Sequence, residues 1–258
     1  MNNLQMTSSR YLELLKGTLT DTIFAPEPKL GEPGSGEHFV RHYFRSPRPL
    51  TCVPRKRLDQ VESCVRRVVA DGVPGDLLEA GVWRGGVAIF MRAALLEMGV
   101  SDRDVWVADS FQGLPEPDPA RYPKEAATWE SVVMREVDHL AVSLERVETA
   151  FRALGLLDER VRFLPGWFQE TLPEAPITRL AILRLDCDLY ESTRDVLTHL
   201  YDRVSPGGFI IVDDYAVDTL FDCRAAVDEF RAARGIVAPL EFVDTHCCSW
   251  RKRRDGGA

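Results

Sequence analysis

Short apolar runs alternate along the chain with longer segments whose apolar residues recur at helical spacing. The first pattern is typical of buried strands, and the second is typical of amphipathic helices. Because no hairpin signal joins two strands until the end of the chain, the alternation predicts an open, mostly parallel α/β sheet covered on both faces. The predicted strands are residues 75–79, 105–110, 161–164, 180–185, 209–212 and 241–243, and the predicted helices are 10–16, 57–70, 87–98, 125–138, 143–154, 190–201 and 223–234.

A glycine-rich segment, residues 79–86, follows the first predicted strand and precedes a predicted helix. Glycine lets a backbone approach a ligand closely, and the first turn of the helix offers free N–H groups. Asp109 ends the second predicted strand, at a spacing that suits a parallel strand–helix–strand unit. This order predicts a nucleotide-type site in which Asp109 binds a ribose diol, although its position also suits a helix N-cap.

Gly166 follows the third predicted strand and is succeeded by two aromatic residues, Trp167 and Phe168. In open α/β sheets ligands bind beyond the carboxyl ends of the strands. The aromatic pair therefore suits a wall beside a planar ring, and the alternative is that Trp167 is an ordinary core tryptophan.

Four aspartates follow the next two predicted strands: Asp186 and Asp188 after one, Asp213 and Asp214 after the other. Gathered at one rim they would repel each other, and a hard divalent cation with oxygen ligands, such as Mg²⁺, would relieve the repulsion. The alternative is that one acid per strand faces the site while the others cap helices or face solvent. We interpret three of these carboxylates as a metal site.

The N-terminal region differs from the rest in composition. Residues 25–36 are rich in proline and glycine and are predicted to be mobile, and residues 38–44 carry aromatic and imidazole groups. The region forms either a surface loop or a lid that orders over substrate, and the sequence leaves both open.

Composition narrows the class of partner. The net charge is −8, which argues against nonspecific binding to nucleic acid or to an anionic membrane. No apolar run reaches the roughly 18 residues of a membrane span, and the N-terminus does not read as a secretory signal. Six cysteines without a CxxC pair are interpreted as reduced thiols of a cytoplasmic protein.

Five blocks of the sequence resemble the macrocin O-methyltransferase family, which includes sugar methyltransferases of mycinamicin and novobiocin pathways. The blocks are residues 78–86, 105–113, 161–168, 183–188 and 205–215, within a similarity that runs from about Pro54 to Phe230. The resemblance implies a Mg²⁺-using, S-adenosylmethionine-dependent enzyme with a class I, Rossmann-like fold and a mostly parallel seven-stranded sheet. It also implies an N-terminal helical or loop lid and oligomerisation segment over residues 1–53, a methyltransferase domain over 54–258, and a homodimer or higher homo-oligomer.

The resemblance also implies roles for individual residues. The residues implied for the cofactor are Glu79, Gly81 and Gly85 at its methionine and ribose part, Asp109 at the ribose hydroxyls, Ser110 near the adenosine, Gly166, Trp167 and Phe168 beside the adenine, and, less directly, Thr51 and Ser143. The implied metal ligands are Asp186, Asp213 and Asp214. Asp186 is also the implied general base, ahead of Asp188 and His139. The sequence departs from the family at Ala80, where a hydroxyl residue is usual, and at Cys187, where glycine is usual.

The expected reaction is methyl transfer to a hydroxyl of a deoxysugar on a glycosylated natural product. The metal would chelate vicinal hydroxyls while an aspartate accepts the proton. A catechol-type O-methyltransferase is the alternative, since vicinal phenol oxygens chelate the same ion. A metal phosphohydrolase would need a basic phosphate loop, and a dinucleotide-binding dehydrogenase would need the GxGxxG spacing; both are absent. A noncatalytic binding protein would not need the acids.

Overall fold

The computed structural model describes residues 9–28, 35–130, 139–216 and 221–253. These residues form one seven-stranded sheet in the order β3-β2-β1-β4-β5-β7-β6, in which β1 to β5 are parallel and β7 runs antiparallel to both β5 and β6. The predicted fold class is confirmed. The strands are β1 Asp76–Ala80, β2 Val105–Asp109, β3 Val161–Pro165, β4 Leu180–Leu185, β5 Val204–Val212, β6 Glu241–Phe242 and β7 Cys248–Arg251.

Helices cover both faces of the sheet. In the described part of the chain they are α1 Arg10–Leu19, α2 Ser35–Phe39, α3 Arg55–Ala70, α4 Gly86–Glu97, α5 Pro123–Thr128, α6 Leu144–Ala153, α7 Phe168–Thr171, α8 Tyr190–Leu200 and α9 Cys223–Ala233. A π-helical turn, Val40–Phe44, continues α2. None of the helices in these ranges has the length and apolarity needed to span a membrane.

The strands are apolar along their length because both sheet faces are buried. Successive side chains of a strand point to opposite faces, so neighbours such as Leu77 and Leu78 belong to two different cores. The first core contains the buried faces of α1, α3, α4 and α6, and the second contains those of α8 and α9. Together they hold the carboxyl ends of the parallel strands in a fixed array.

Some predicted element boundaries are wrong. The segment 204–208, expected as a turn, already belongs to β5, with a register shift against β4 between Leu180 and Ile182. Strand β7 was not predicted, because its four residues, Cys248–Arg251, are too few to carry a clear strand pattern. Residues 38–44 are helical rather than a loop, and Tyr43 is buried. Of the predicted helix 125–138 and the predicted mobile stretch 25–36, residues 131–138 and 29–34 lie outside the described residues.

Helix α1 packs into the first core. Leu12, Leu15 and Leu19 lie in the same core as the sheet, which gives the amphipathic pattern of α1 its physical basis. Lys16 is buried between α1 and α3, where its Nζ atom lies 2.8 Å from Glu13 Oε1 and 2.7 Å from Glu62 Oε2. These contacts tie the N-terminal helix to the sheet through α3. The lid and self-association roles of residues 1–53 stay predictions.

Candidate active site

Strand register places the first glycine and the acids side by side. Ala80 pairs with Leu185 across β1 and β4, and Leu185 pairs with Val212 across β4 and β5. The residues that follow these strands continue the ladder: the Asp186 N–H donates to the Ala80 carbonyl and the Asp213 N–H donates to the Leu185 carbonyl, each at 2.9 Å. The glycine-rich segment and the aspartates therefore lie side by side at one edge of the sheet.

Gly81 is glycine because another backbone occupies the space of a side chain. It has φ +80°, and a Cβ atom there would lie 1.9 Å from the Asp186 carbonyl oxygen. Gly85 also has positive φ, +85°, but its Cβ direction points at Val147 of α6. Thus Gly81 contacts the acidic strand end, and Gly85 lets α4 pack closely against α6.

Asp109 organises the glycine-rich segment from the neighbouring strand. Its Oδ2 atom accepts hydrogen bonds from the N–H groups of Val82 (2.7 Å) and Trp83 (3.3 Å), and its Oδ1 atom accepts from Phe111 N–H (2.8 Å). Burial raises its pKa against the effect of these N–H donors. The carboxylate is thus a structural clamp on the turn, a role that neither sequence alternative included.

Several predicted cofactor residues line one cleft. Trp167 and Phe168 are half-buried, and Phe168 also packs against the second core. Trp167 belongs to neither main core, which favours the aromatic-wall interpretation for that residue. Ser110 shapes the cleft edge, since its Oγ atom donates to the Gly113 carbonyl at 2.7 Å. The predicted residues on the cleft lining are Gly81, Asp109, Ser110, Trp167, Phe168 and Asp186.

Other predicted cofactor residues make structural contacts around the site. Ser143 is exposed, and its Oγ atom caps α6 by accepting from Arg146 N–H at 3.4 Å. Thr51 is buried against the start of α4, where a Cβ on Gly86 would lie 2.7 Å from its Cβ atom. Gly166 has φ +130° and donates its N–H to the Asp109 carbonyl.

Three of the four aspartates converge. Carboxylate oxygens of Asp186, Asp213 and Asp214 all lie within 4.8 Å of one another, the spacing that a small cation with oxygen ligands requires. Asp188 sits beside them in the left-handed region, φ +57°, and its N–H donates to Asp214 Oδ2 at 3.3 Å. We call Asp186, Asp188, Asp213 and Asp214 the acid cluster.

A buried arginine that we did not single out from the sequence contacts the acid cluster. Arg184 is fully buried, and its Nη1 atom lies 2.6 Å from Glu79 Oε1 and 2.9 Å from Asp186 Oδ2. Its Nη2 atom lies 2.5 Å from Asp213 Oδ1. An arginine inside the otherwise apolar strand β4 was the available signal, because a charge on a buried strand needs polar partners and carboxylates are the strongest of them.

A second arginine reaches the cluster from α3. The Nη1 atom of Arg57 lies 2.5 Å from Asp213 Oδ2, so both oxygens of Asp213 contact a guanidinium. Arg57 also holds Asp244 through Nε at 2.7 Å and Nη2 at 3.1 Å. Positions 57 and 244 are too far apart in the chain for any sequence pattern to join them.

Proton affinities in the cluster are shifted upward. Burial, together with the charges of Asp186 and Asp213, raises the pKa of Asp188 to about 7. Burial raises the pKa of Glu79 to about 8, although Arg184 acts in the opposite direction. Burial and the charges of Asp188 and Asp186 also raise the pKa of Asp214. These carboxyl groups are poised to exchange protons or to bind a cation.

The glycine-rich segment also grips the N-terminal region. Arg84 is 97% buried (3% exposed), and its guanidinium donates only to backbone carbonyls, those of Tyr43, Phe44, Ser46 and Pro49, at 2.8 to 3.1 Å. The Trp83 indole N–H donates to the His139 carbonyl at 2.7 Å. The segment therefore connects the cleft to the chain on either side of it.

The two departures from the family touch each other. The Cys187 thiol is buried and donates to the Ala80 carbonyl at 3.3 Å, and both side chains lie in the second core. Cys187 also contributes to the cleft lining. The thiol is thus directed mainly toward strand β1.

Known proteins resemble this chain over most of its length. The family model described as Macrocin-O-methyltransferase (TylF) matches residues 45–252. The chain is 48% identical, over 93% of its length and 92% of the relative's, to 8-demethyl-8-(2,3-dimethoxy-alpha-L-rhamnosyl)-tetracenomycin-C 4'-O-methyltransferase of Streptomyces olivaceus. It is 44% identical, over 94% of its length and 96% of the relative's, to mycinamicin III 3''-O-methyltransferase of Micromonospora griseorubida.

A solved structure supports the same relationship. The O-methyltransferase NovP superimposes with a TM-score of 0.81 at 44% sequence identity, covering 95% of this chain and 98% of that chain. The fold, the family model and two relatives of nearly the same length agree. This chain belongs to the macrocin O-methyltransferase family and is an O-methyltransferase.

Proposed function

We propose that the enzyme transfers a methyl group from S-adenosylmethionine to a deoxysugar hydroxyl of a glycosylated natural product, with Mg²⁺ bound at the acid cluster. The relatives support the sugar acceptor, since their names specify a rhamnosyl tetracenomycin and a mycinamicin. The observation that carries the proposal is the shared edge of the sheet, where Gly81 meets the backbone of Asp186.

The cleft residues suit S-adenosylmethionine. Glu79 lies behind the cleft lining and is 1% exposed; Arg184 and the Ala88 N–H stabilise its carboxylate, and the ammonium of the methionine part is the further donor proposed for it. Trp167 offers a half-buried ring surface for an adenine. The residues proposed to hold the cofactor are Thr51, Glu79, Gly81, Gly85, Asp109, Ser110, Ser143, Gly166, Trp167 and Phe168. When bound, the cofactor supplies the electrophilic methyl group.

The acid cluster suits a hard divalent cation. Asp186, Asp213 and Asp214 would hold Mg²⁺, because carboxylate oxygens are its preferred protein ligands. The ion would lower the pKa of an acceptor hydroxyl. Asp186 is the proposed proton acceptor, and its half-buried carboxylate is held by Arg184. Asp188 is the second candidate for that role. Within the described residues its carboxylate accepts no hydrogen bond, and its pKa is raised to about 7.

A small apolar cluster supports an acceptor with an apolar aglycone. Leu189 follows Asp188 directly, and the chain near Leu140 is joined to the glycine-rich segment by the Trp83–His139 hydrogen bond. The cluster therefore lies between the two halves of the site and outside both main cores. Its members are Leu114, Trp129, Leu140, Leu189 and Phe221.

Nearby cations give no support to a free nucleotide sugar as acceptor. Arg121 is paired with Glu191, Lys124 with Asp222, and Arg194 with Glu191 and Asp195. A diphosphate would have to compete with these carboxylates. An apolar aglycone would not have to displace these carboxylates, because burial of its apolar surface stabilises binding.

The experiment compares acceptors with the purified enzyme and labelled S-adenosylmethionine. Macrolide, aminocoumarin and aromatic polyketide glycosides are tested beside simple catechols and a nucleotide sugar. We expect turnover of a glycoside and its loss in EDTA. Turnover of catechols alone would favour the catechol-type alternative, and EDTA-resistant turnover would contradict the metal.

A variant pair tests the aglycone contact. Trp129→Ala is expected to raise KM for the glycoside about tenfold while leaving cofactor affinity unchanged. Val237→Ala, a truncation in the segment between α9 and β6, serves as the control because Val237 is 67% exposed and lies toward the far edge of the sheet from the apolar cluster. Equal effects of the two variants would contradict the contact.

We also infer a homodimer or higher homo-oligomer formed through the N-terminal segment. Tyr11 and Leu14 of α1 are largely exposed, and Phe24 is fully exposed. Apolar side chains concentrated on one short segment are typical of a contact surface. Light scattering of the wild type and of Leu14→Asp/Phe24→Asp tests this. The six free thiols agree with the cytoplasmic location we propose.

A further inference from the structure

Asp213 is clamped by two arginines that differ in their other partners. Arg184 shares its charge among Glu79, Asp186 and Asp213. Arg57 contacts the acid cluster only through Asp213, and turns the rest of its guanidinium to Asp244. Removing Arg57 would therefore take away a positive charge that acts on Asp213 and, through space, on Asp214, while leaving the contacts of Arg184 in place.

Asp244 is fixed independently of Arg57. Its Oδ1 atom accepts hydrogen bonds from the N–H groups of His246 (2.8 Å) and Cys247 (2.9 Å) in the loop between β6 and β7. Against the effect of burial, Arg57 and these N–H groups hold the pKa of Asp244 well below its usual range. Exposed Lys56 also approaches Asp244 Oδ2 at 3.4 Å. Asp244 thus carries a permanent negative charge behind Arg57.

We propose that Arg57 is a positioning residue and built-in counter-cation of the acid cluster, with Asp244 as its buttress. It holds Asp213 in place when no divalent ion is bound, and its charge opposes that of the ion once one binds. Asp244 moderates this opposition by neutralising part of the Arg57 charge. The inference rests on the metal site of the proposed function.

A counter-cation role predicts that two variants change the affinity for a divalent cation in opposite directions. Arg57→Met removes a positive charge beside Asp213, so a divalent cation should bind more tightly. Asp244→Asn removes a negative charge and leaves Arg57 unbalanced, so the cation should bind more weakly. General loosening of the site would weaken binding in both variants. At the short distances involved, one unit charge is expected to change affinity by about tenfold.

Arg66→Met provides the matched control. Arg66 lies on the same helix, α3, and pairs with Glu62 at 2.7 Å with a side-chain exposure of 18%, close to the 11% of Arg57. Within the described part of the chain, Arg66 makes no hydrogen bond or ion pair with the acid cluster. Its replacement should leave cation affinity unchanged while costing a similar amount of stability.

The test measures Mn²⁺ binding by electron paramagnetic resonance in wild type, Arg57→Met, Asp244→Asn and Arg66→Met, each as the full chain. We expect affinity changes in opposite directions for the first two variants and none for the third. Arg57→Met should also melt several degrees lower in EDTA than in Mg²⁺, a gap wider than that of wild type. Should Arg57→Met fail to fold, Asp244→Asn alone decides, and unchanged or tighter Mn²⁺ binding in it overturns the proposal.

Two failures can be told apart. If wild type itself does not bind Mn²⁺, the metal site of the proposed function is wrong and the inference falls with it. If wild type binds Mn²⁺ but Arg57→Met and Asp244→Asn change affinity in the same direction, the counter-cation role alone is wrong.

Discussion

Gly81 lies so close to Asp186 that a Cβ atom on the glycine would be 1.9 Å from the aspartate's carbonyl oxygen. The first glycine of the glycine-rich segment and the first residue of the acid cluster are thus in direct contact. A shift in either strand end would be transmitted to the other, because neither backbone has free space.

This contact makes Gly81→Ala a severe change. We expect it to destabilise the fold by on the order of 3 kcal/mol and to weaken cofactor binding, since the β1 and β4 ends must separate. Gly99→Ala is the control: Gly99 has a similar φ, +71°, with nothing within 4 Å of its Cβ direction. It should cost only about 1 kcal/mol of backbone strain. Comparable denaturant midpoints for the two variants would contradict the role of the contact.

Asp214→Asn separates metal binding from folding more cleanly than a change at Asp213. Asp213 neutralises two buried arginines, so its loss would leave Arg57 and Arg184 partly unpaired and cost stability. Asp214 has no such ion pair in the described structure. Asp214→Asn should reduce Mg²⁺-stimulated turnover by on the order of a hundredfold with cofactor affinity preserved, as measured by calorimetry. Retained Mg²⁺ stimulation would remove Asp214 from the ligand set.

Asp186→Asn and Asp188→Asn distinguish the two candidate bases. Asp186 is also a proposed metal ligand, so the rates are compared at saturating Mg²⁺. If Asp186 accepts the proton, its variant should still lose on the order of a thousandfold in kcat there, while Asp188→Asn should stay within about tenfold of wild type. The reverse order in single-turnover rates would assign the proton transfer to Asp188.

The raised pKa values predict how stability depends on pH. Asp188 moves from 3.8 to about 7 and Glu79 from 4.5 to about 8, so between about pH 4 and pH 8 the folded protein binds more protons than the unfolded chain. Stability of the metal-free protein should therefore fall as pH rises through this interval. Melting temperatures in EDTA test this, with a shallower slope expected for Asp188→Asn. A flat profile in wild type would contradict the shifts.

Arg84→Met tests how the glycine-rich segment holds the N-terminal region. The variant removes the hydrogen bonds to the carbonyls of residues 43–49, so trypsin should cut faster at Arg41 and Arg45. Arg92→Met, which replaces another buried arginine paired with Asp158, should leave these sites protected. Equal cleavage rates in the two variants would show that Arg84 does not anchor the segment.

Much of the architecture was predictable, because strands that are buried on both faces consist of continuous apolar residues. The order of strands and helices, the glycine-rich segment and the four aspartates could be read from local patterns, since each depends on neighbouring residues. The exceptions have local causes: β7 is only four residues long, and the start of β5 contains Pro206 and two glycines that resemble a turn.

The sequence by itself determined the fold class and which strand ends carry chemistry. Only the tertiary structure decided how the charges are balanced. Arg184 and Glu79 are 105 positions apart, and Arg57 and Asp244 are 187 apart, so their contacts depend on sheet order and register. The acids alone indicated that a positive charge must be present among them. The packed sheet shows that Arg184 and Arg57 already supply part of it, because both guanidinium groups are buried against carboxylates that neutralise them.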